Sequence, residues 1–217
     1  MDIGIPLEPE TELERSTRWW DALSSNPPLL RYHVNPYSQG REASSLEEIY
    51  PALAPCLPES PRILDIGCGL GRVAIAMARR VTGACLVGLD ISRTMRDRAI
   101  ASAEAAGVAQ STFQYVIGDG ASVPPSVGSI DAAYSMLTFQ HLPANVCRWY
   151  VASVGGALKP GGRFRFQSSI GTDDSFLAHP TSESAMVSWC SGAGLDVLCV
   201  ERSKIHHEWA WVTAEKP

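Results

Sequence analysis

Between residues 63 and 72 the chain reads ILDIGCGLGR, with Gly67, Gly69 and Gly71 at alternate positions directly after Asp65. Each glycine brings unfolded-state freedom that folding must remove, so three in this rhythm imply a backbone that needs them. A glycine turn between a strand and a helix lets a ligand approach bare main chain. A dinucleotide turn wants G-x-G-x-x-G, and counting from Gly67 its last position is Arg72, a bulky cation. The pattern that fits instead is [DE]-x-G-x-G-x-G with Asp65 as its acid. Further along, GLDIS carries Asp90, GDG carries Asp119 between Gly118 and Gly120, and SMLTFQHLP carries His141. An imidazole titrates near neutrality, so His141 suits a general base; it equally suits a structural post orienting its loop and the next helix.

The elements that must hold these residues can be read from period and punctuation. Strand-like apolar runs lie at 62–67, 86–91, 113–118, 130–137 and 162–168, with two more at 195–200 and 207–213. Helical spacing covers 71–81, and Ser92 can N-cap a helix running to about Ala106. Further helices are expected over 143–158, stopped by the turn Lys159-Pro160-Gly161-Gly162, and over 182–190, ended by SGAG. Alternating strands and helices predict a doubly wound, mostly parallel α/β sheet of seven strands. The last two strands are joined too briefly for a parallel crossover and should form an antiparallel hairpin.

Residues 1–60 read differently. Helical patterns at 10–23 and 45–53 flank a Pro- and Asn-rich stretch, and we expect an N-terminal helical cap within the same domain as residues 61–217. In that stretch Tyr32 and His33 either close over a substrate or pack the cap onto the sheet. His207 alternates with Trp209 and Trp211, which favours packing.

A net charge of −5 disfavours a nucleic-acid backbone as partner, because phosphate binding relies on clustered Lys and Arg. No apolar run approaches the ~20 residues of a membrane span, and the acidic start has no apolar signal core. The six cysteines are scattered without a C-x-x-C pair, which fits reduced thiols, no structural zinc and a cytoplasmic setting.

Taken in order, ILDIGCGLGR, GLDIS, GDG, DAAYSMLTFQHLP and LKPGGRF resemble the successive motifs of class I S-adenosylmethionine (SAM) dependent methyltransferases, covering about residues 60 to 217. The resemblance implies a Rossmann-like methyltransferase fold and SAM as cofactor. Asp65 with Gly67, Gly69 and Gly71 would then hold the methionine end, or Asp65 would bond the amides of the turn. Asp90, with Ile91 beside it, would take the ribose hydroxyls, about 20 residues beyond the glycine turn. Asp119 would bond the adenine amino group, with Gly118 and Gly120 leaving room for the ring, or would serve only its turn. Ser135 and Met136 would border the methionine moiety. The style of FQHLP and LKPGGRF implies a small-molecule acceptor, the receiving O, N or C atom being open. A SAM-binding protein that does not methylate (pericyclase-like or regulatory) and a nicotinamide-dependent oxidoreductase are the alternatives.

One stretch sits oddly in this scheme. RFRFQ at 163–167 puts Arg163, Arg165 and Gln167 on one face, where a central parallel strand is normally apolar. Either the arginine stems lie under a helix and reach solvent, or Arg165 and Gln167 reach the acceptor pocket.

Overall fold

The structure, a computed structural model, describes residues 11–26, 42–171, 179–204 and 206–217. Tyr32 and His33 lie outside the described residues. In chain order the elements are α1 (Glu12–Ser24), α2 (Glu42–Leu53), β1 (Arg62–Ile66), α3 (Arg72–Arg80), β2 (Cys85–Asp90), α4 (Arg93–Ala105) and β3 (Phe113–Ile117). They continue with β4 (Ile130–Ser135), α5 (Ala144–Ala157), β5 (Leu158–Ser169), α6 (Glu183–Gly192), β6 (Asp196–Arg202) and β7 (Trp209–Glu215).

The seven strands run in the order β3-β2-β1-β4-β5-β7-β6. The first five are mutually parallel, and β7 pairs antiparallel with both β5 and β6. Chain order reverses between β1 and β4, and in such sheets a crevice opens there outside the strand carboxyl ends.

Strand alternation divides the core into two layers. Ile63, Leu86, Ala132, Tyr134 and Trp211 face one way, against α2, α3 and α4 through residues such as Ile49, Met77 and Ala99. Leu64, Val87, Ala133, Phe164, Phe166 and Val212 face the other way, against Val151 and Val154 of α5 and Met186 and Cys190 of α6. Burying such side chains stabilises by roughly 1.5–3 kcal/mol each, which is what fixes strand register here.

Caps set where the helices begin. Thr11 and Glu14 form a reciprocal capping box at α1. The Ser92 hydroxyl accepts from the Met95 amide at 3.1 Å, so α4 starts immediately after the tip of β2. Ser92 also donates to Asp21 Oδ1 at 2.6 Å, tying α1 beside that tip.

The turn expected at Lys159–Gly162 is built differently. β5 already begins at Leu158, which pairs with Ile130, and the next paired residue is Arg163 against Ala132. The residues between bulge out of the ladder, with Gly161 at φ +76°. Lys159 Nζ binds Asp131 Oδ1 at 2.7 Å, and the Gly161 amide donates to the Lys216 carbonyl at 2.7 Å. A helix-stopping turn and a strand entry are thereby merged into one bulge.

Candidate functional site

A cavity of about 540 Å³ opens at the carboxyl ends of β1, β2 and β4. Its floor is the glycine turn. Gly67, Gly69 and Gly71 all take positive φ, +70°, +49° and +72°. A side chain at Gly67 would run into Thr138, with Oγ1 only 2.1 Å from an added Cβ. One at Gly71 would press on the Phe113 ring at 3.0 Å. At Gly69 nothing lies within 4 Å, so its left-handed turn leaves bare backbone facing the cavity. Gly67 and Gly71 serve packing; Gly69 serves access.

Two carboxylates flank that bare stretch. Asp90, at the tip of β2, accepts from the Gly69 amide at 2.8 Å through Oδ2 and from the Ser92 amide at 3.0 Å through Oδ1. Burial raises its pKa, although the Ser92, Gly69 and Ile91 amides pull the other way. Asp65 is buried in β1 and accepts from the Tyr134 hydroxyl at 2.9 Å. Burial pushes the Asp65 carboxyl up to about 7, against the Tyr134 hydrogen bond, and Asp90 adds to the rise. Cys68 sits between them as a protonated thiol, raised by burial and then by both acids.

Of the residues singled out in the sequence, Asp65, Gly67, Gly69, Asp90, Ile91, Gly120 and His141 line this cavity together. Gly71 lies beneath it as the N-cap of α3. Ser135 is fully buried at the end of β4, its hydroxyl donating to the Ile66 carbonyl at 3.0 Å. Gly118 packs against Leu89, where a Cβ would meet Cδ1 at 2.8 Å. Asp119 is exposed and holds its own turn: Ala121 and Ser122 amides donate at 2.9 and 2.8 Å, and the Ser122 hydroxyl at 2.7 Å. Partial burial works against it, but these bonds hold its carboxyl below the usual range.

Other lining residues come from distant parts of the chain. Ser16 and Trp20 of α1, Ser45 of α2 and Trp209 of β7 face the cavity with Met136, Leu137, Thr138, Gln140 and Leu142. The Trp20 ring meets His141 edge to face, with centroids 5.2 Å apart. Ser16 and Trp20 are four residues apart, so their shared helical face is a signal the sequence carried. Gln140 and Trp209 had none.

The loop after β4 is held firmly. Leu137 adopts φ +58°, and its amide donates to Gln167 Oε1 at 3.1 Å. Thr138 Oγ1 donates to the Ile66 carbonyl at 3.3 Å, and Phe139 is buried against Phe166 at 5.1 Å between centroids. Gln167 therefore reaches the cavity's supporting loop. Arg165 does neither of the things expected of it. Only 2% exposed, it bonds Thr213 Oγ1 at 2.7 Å and Glu201 at 3.1 Å and lies 4.8 Å over the Trp211 ring. Arg163 does lie under α2, bonding the Ala52 carbonyl at 3.0 Å and Glu215 at 2.8 Å. His207 precedes β7 in an exposed turn, stacked on His206, because the strand begins only at Trp209.

Comparison with known proteins adds an independent line. Residues 63–162 match the family model described as a methyltransferase domain. The chain is 30% identical to a sterol 24-C-methyltransferase of Yarrowia lipolytica, over 69% of this chain and 39% of that one. It is 31% identical to a ubiquinone biosynthesis O-methyltransferase of Paracidovorax citrulli, over 79% of this chain and 65% of the relative. The chain thus spans less than two thirds of the length of either relative. Its fold is similar to magnesium protoporphyrin IX methyltransferase from Synechocystis PCC 6803, solved with bound S-adenosylhomocysteine. The TM-score is 0.77 at 14% identity, covering 95% of this chain and all of that one. The strand order, the ordered motifs and the matched family model identify residues 63–162 as a class I SAM-dependent methyltransferase domain.

Proposed function

We propose that this chain transfers a methyl group from SAM to a small-molecule acceptor bound in the same cavity. The observation that carries this reading is the bare backbone at Gly69, open to the cavity and flanked by Asp90 and Asp65. A nucleoside with vicinal hydroxyls suits Asp90, whose carboxylate already reaches the turn at the tip of β2. A cationic methionine end suits Asp65, because a positive charge beside it would draw the carboxyl to its ionised form. SAM, when bound, supplies a methyl group already activated on sulfur.

The chain's own share of the work is alignment and exclusion of water. Trp20, Trp209 and Leu142 give the acceptor side an apolar wall, and the pinned loop 136–142 holds His141 at the cavity. His141 would take a proton from a hydroxyl acceptor, while an acceptor already nucleophilic would need no base. We read the protein as a cytoplasmic enzyme of small-molecule metabolism with no nucleic-acid partner. The net charge of −5 and six free cysteines support this. Among the described residues no helix is long and apolar enough to cross a membrane.

The experiment is incubation with radiolabelled SAM and fractionated metabolite pools. Labelled product with stoichiometric S-adenosylhomocysteine supports transfer; SAM binding without either product points to a non-methylating SAM protein.

A further inference from the structure

Two carboxyls share the cavity, and the chain provides for them unequally. Asp65 and Asp90 both line it, and among the described residues neither forms an ion pair. Asp90 accepts backbone amides on both oxygens, from Gly69 and from Ser92. Asp65, only 4% exposed, accepts one hydrogen bond, from the Tyr134 hydroxyl to Oδ2 at 2.9 Å. Like charges in one buried site oppose double ionisation, and the carboxyl with fewer donors keeps the proton. Counting donors therefore gives the proton to Asp65. Burial, which pushes its carboxyl up to about 7, agrees.

Tyr134 decides which oxygen meets the cavity. It stands directly opposite Asp65 in the β1–β4 ladder, so both side chains leave the same face of the sheet. Its ring is fully buried in the core on that face, which fixes the hydroxyl. With Oδ2 engaged, Oδ1 is left without a bond to the described residues; it is not sealed off, and it faces the cavity that Asp65 lines. The neighbouring groups do not compete for it. Burial keeps Cys68 of the turn and Tyr115 of β3 protonated, and Tyr115 donates to the Gly69 carbonyl at 3.4 Å. Arg165, beside Tyr134 in the sheet, turns to Thr213 and Glu201, and Glu48 of α2 turns to Ser203 and Trp211. Asp21 of α1 bonds Ser92, beyond Asp90. Arg72 of α3 and His141 line the same cavity.

We propose that Asp65 stores a proton in the free protein and releases it when the ammonium of a bound amino-acid moiety settles against Oδ1, with Tyr134 as the positioning residue that aims this oxygen. This rests on the reading of the cavity as a SAM site and adds the proton stoichiometry of that site. The Asp65 O–H bond breaks, its proton goes to bulk water, and the carboxylate left behind pairs with the incoming cation. Cofactor uptake therefore weakens as pH falls below about 7, because binding must displace the proton.

The test is calorimetric titration of S-adenosylhomocysteine into the full chain, in buffers of different ionisation enthalpy, whose comparison counts the protons released. Working between about pH 6 and pH 7 keeps the ligand's own amino group charged. Wild type should release close to one proton at about pH 6 and about half a proton at pH 7. Tyr134→Phe loses the bond that favours the carboxylate, so it should release close to one at both and bind several-fold more weakly at pH 7. His141→Asn should release as wild type does. Binding without release in wild type overturns the proposal, as does release that vanishes in His141→Asn, which would assign the proton to the imidazole. Weaker binding in Tyr134→Phe with unchanged release would make Tyr134 a packing residue and overturn its positioning role. A second measurement needs neither ligand nor Tyr134→Phe. The infrared spectrum of the free chain at about pH 6 should show a protonated carboxyl that Asp65→Asn removes and Asp90→Asn keeps. The reverse pattern, or no such band, overturns the proposal. Failure to bind S-adenosylhomocysteine with the Asp65 band present sinks the SAM reading instead.

Discussion

The two walls of the cavity are built on different principles. The wall we propose for the methyl donor is local: Asp65, Gly67, Gly69 and Asp90 fall within 26 residues of one strand–turn–helix–strand unit. Its shape follows from turn chemistry, with positive φ at each glycine and a strand-tip acid bonding the turn amide. The wall we propose for the acceptor gathers Ser16, Trp20, Ser45, Gln140 and Trp209 from across the chain, and only tertiary packing brings them together. A local wall can stay constant while the distant one varies, which is how one fold serves many acceptors.

Breaking the donor wall should give the largest effect. Asp90→Ala is expected to weaken SAM binding by about 100-fold, since hydrogen bonds to charged groups are worth roughly 1.5–3 kcal/mol each. Calorimetric titration measures it, and acceptor affinity should hardly move.

The glycines separate packing from access. Gly67→Ala combines a left-handed strain with the clash at Thr138 and should lose about 2–4 kcal/mol of stability in urea denaturation. Gly69→Ala meets open space and should lose only about 1–2 kcal/mol from backbone strain, yet it should impair SAM binding more than its stability loss suggests. If both variants bind SAM as wild type does, the access role of Gly69 is wrong.

On the acceptor wall, Trp20→Ala should raise the acceptor KM by about tenfold while leaving S-adenosylhomocysteine affinity within threefold. Steady-state kinetics with any accepted substrate would show it. Equal losses for both ligands would erase the distinction between the walls.

A further expected effect is a slope with pH. Asp65 titrates at about 7 in the folded chain against about 3.9 unfolded, so the native state holds the extra proton between those values. Its contribution is complete below about pH 4 and is lost as pH rises through about 7. Asp65→Asn should therefore flatten the fall in unfolding free energy over that window. A variant whose curve parallels wild type would show Asp65 already ionised.

These walls also differ in how well sequence reveals them. The strands around the glycine turn were legible because buried parallel strands read as short apolar runs, and the turn's glycines are demanded by backbone geometry. Arg165 was not, since Thr213, Glu201 and Trp211 reach it across the β5–β7–β6 sheet from 36 to 48 residues away. The bulge at Lys159–Gly162 looked like a plain turn because Asp131 and Lys216, which hold it, are remote in sequence. The Tyr134 hydroxyl gave no signal either. Its bond to Asp65 becomes visible only once β1 and β4 are paired in register.

The most direct test of the central claim is calorimetric titration of S-adenosylhomocysteine into the full chain and its Asp90→Ala variant, with NAD as the control ligand. One equivalent should bind wild type, far more weakly the variant, and NAD should give no heat. No uptake of S-adenosylhomocysteine, or equal affinity in wild type and variant, would contradict the account.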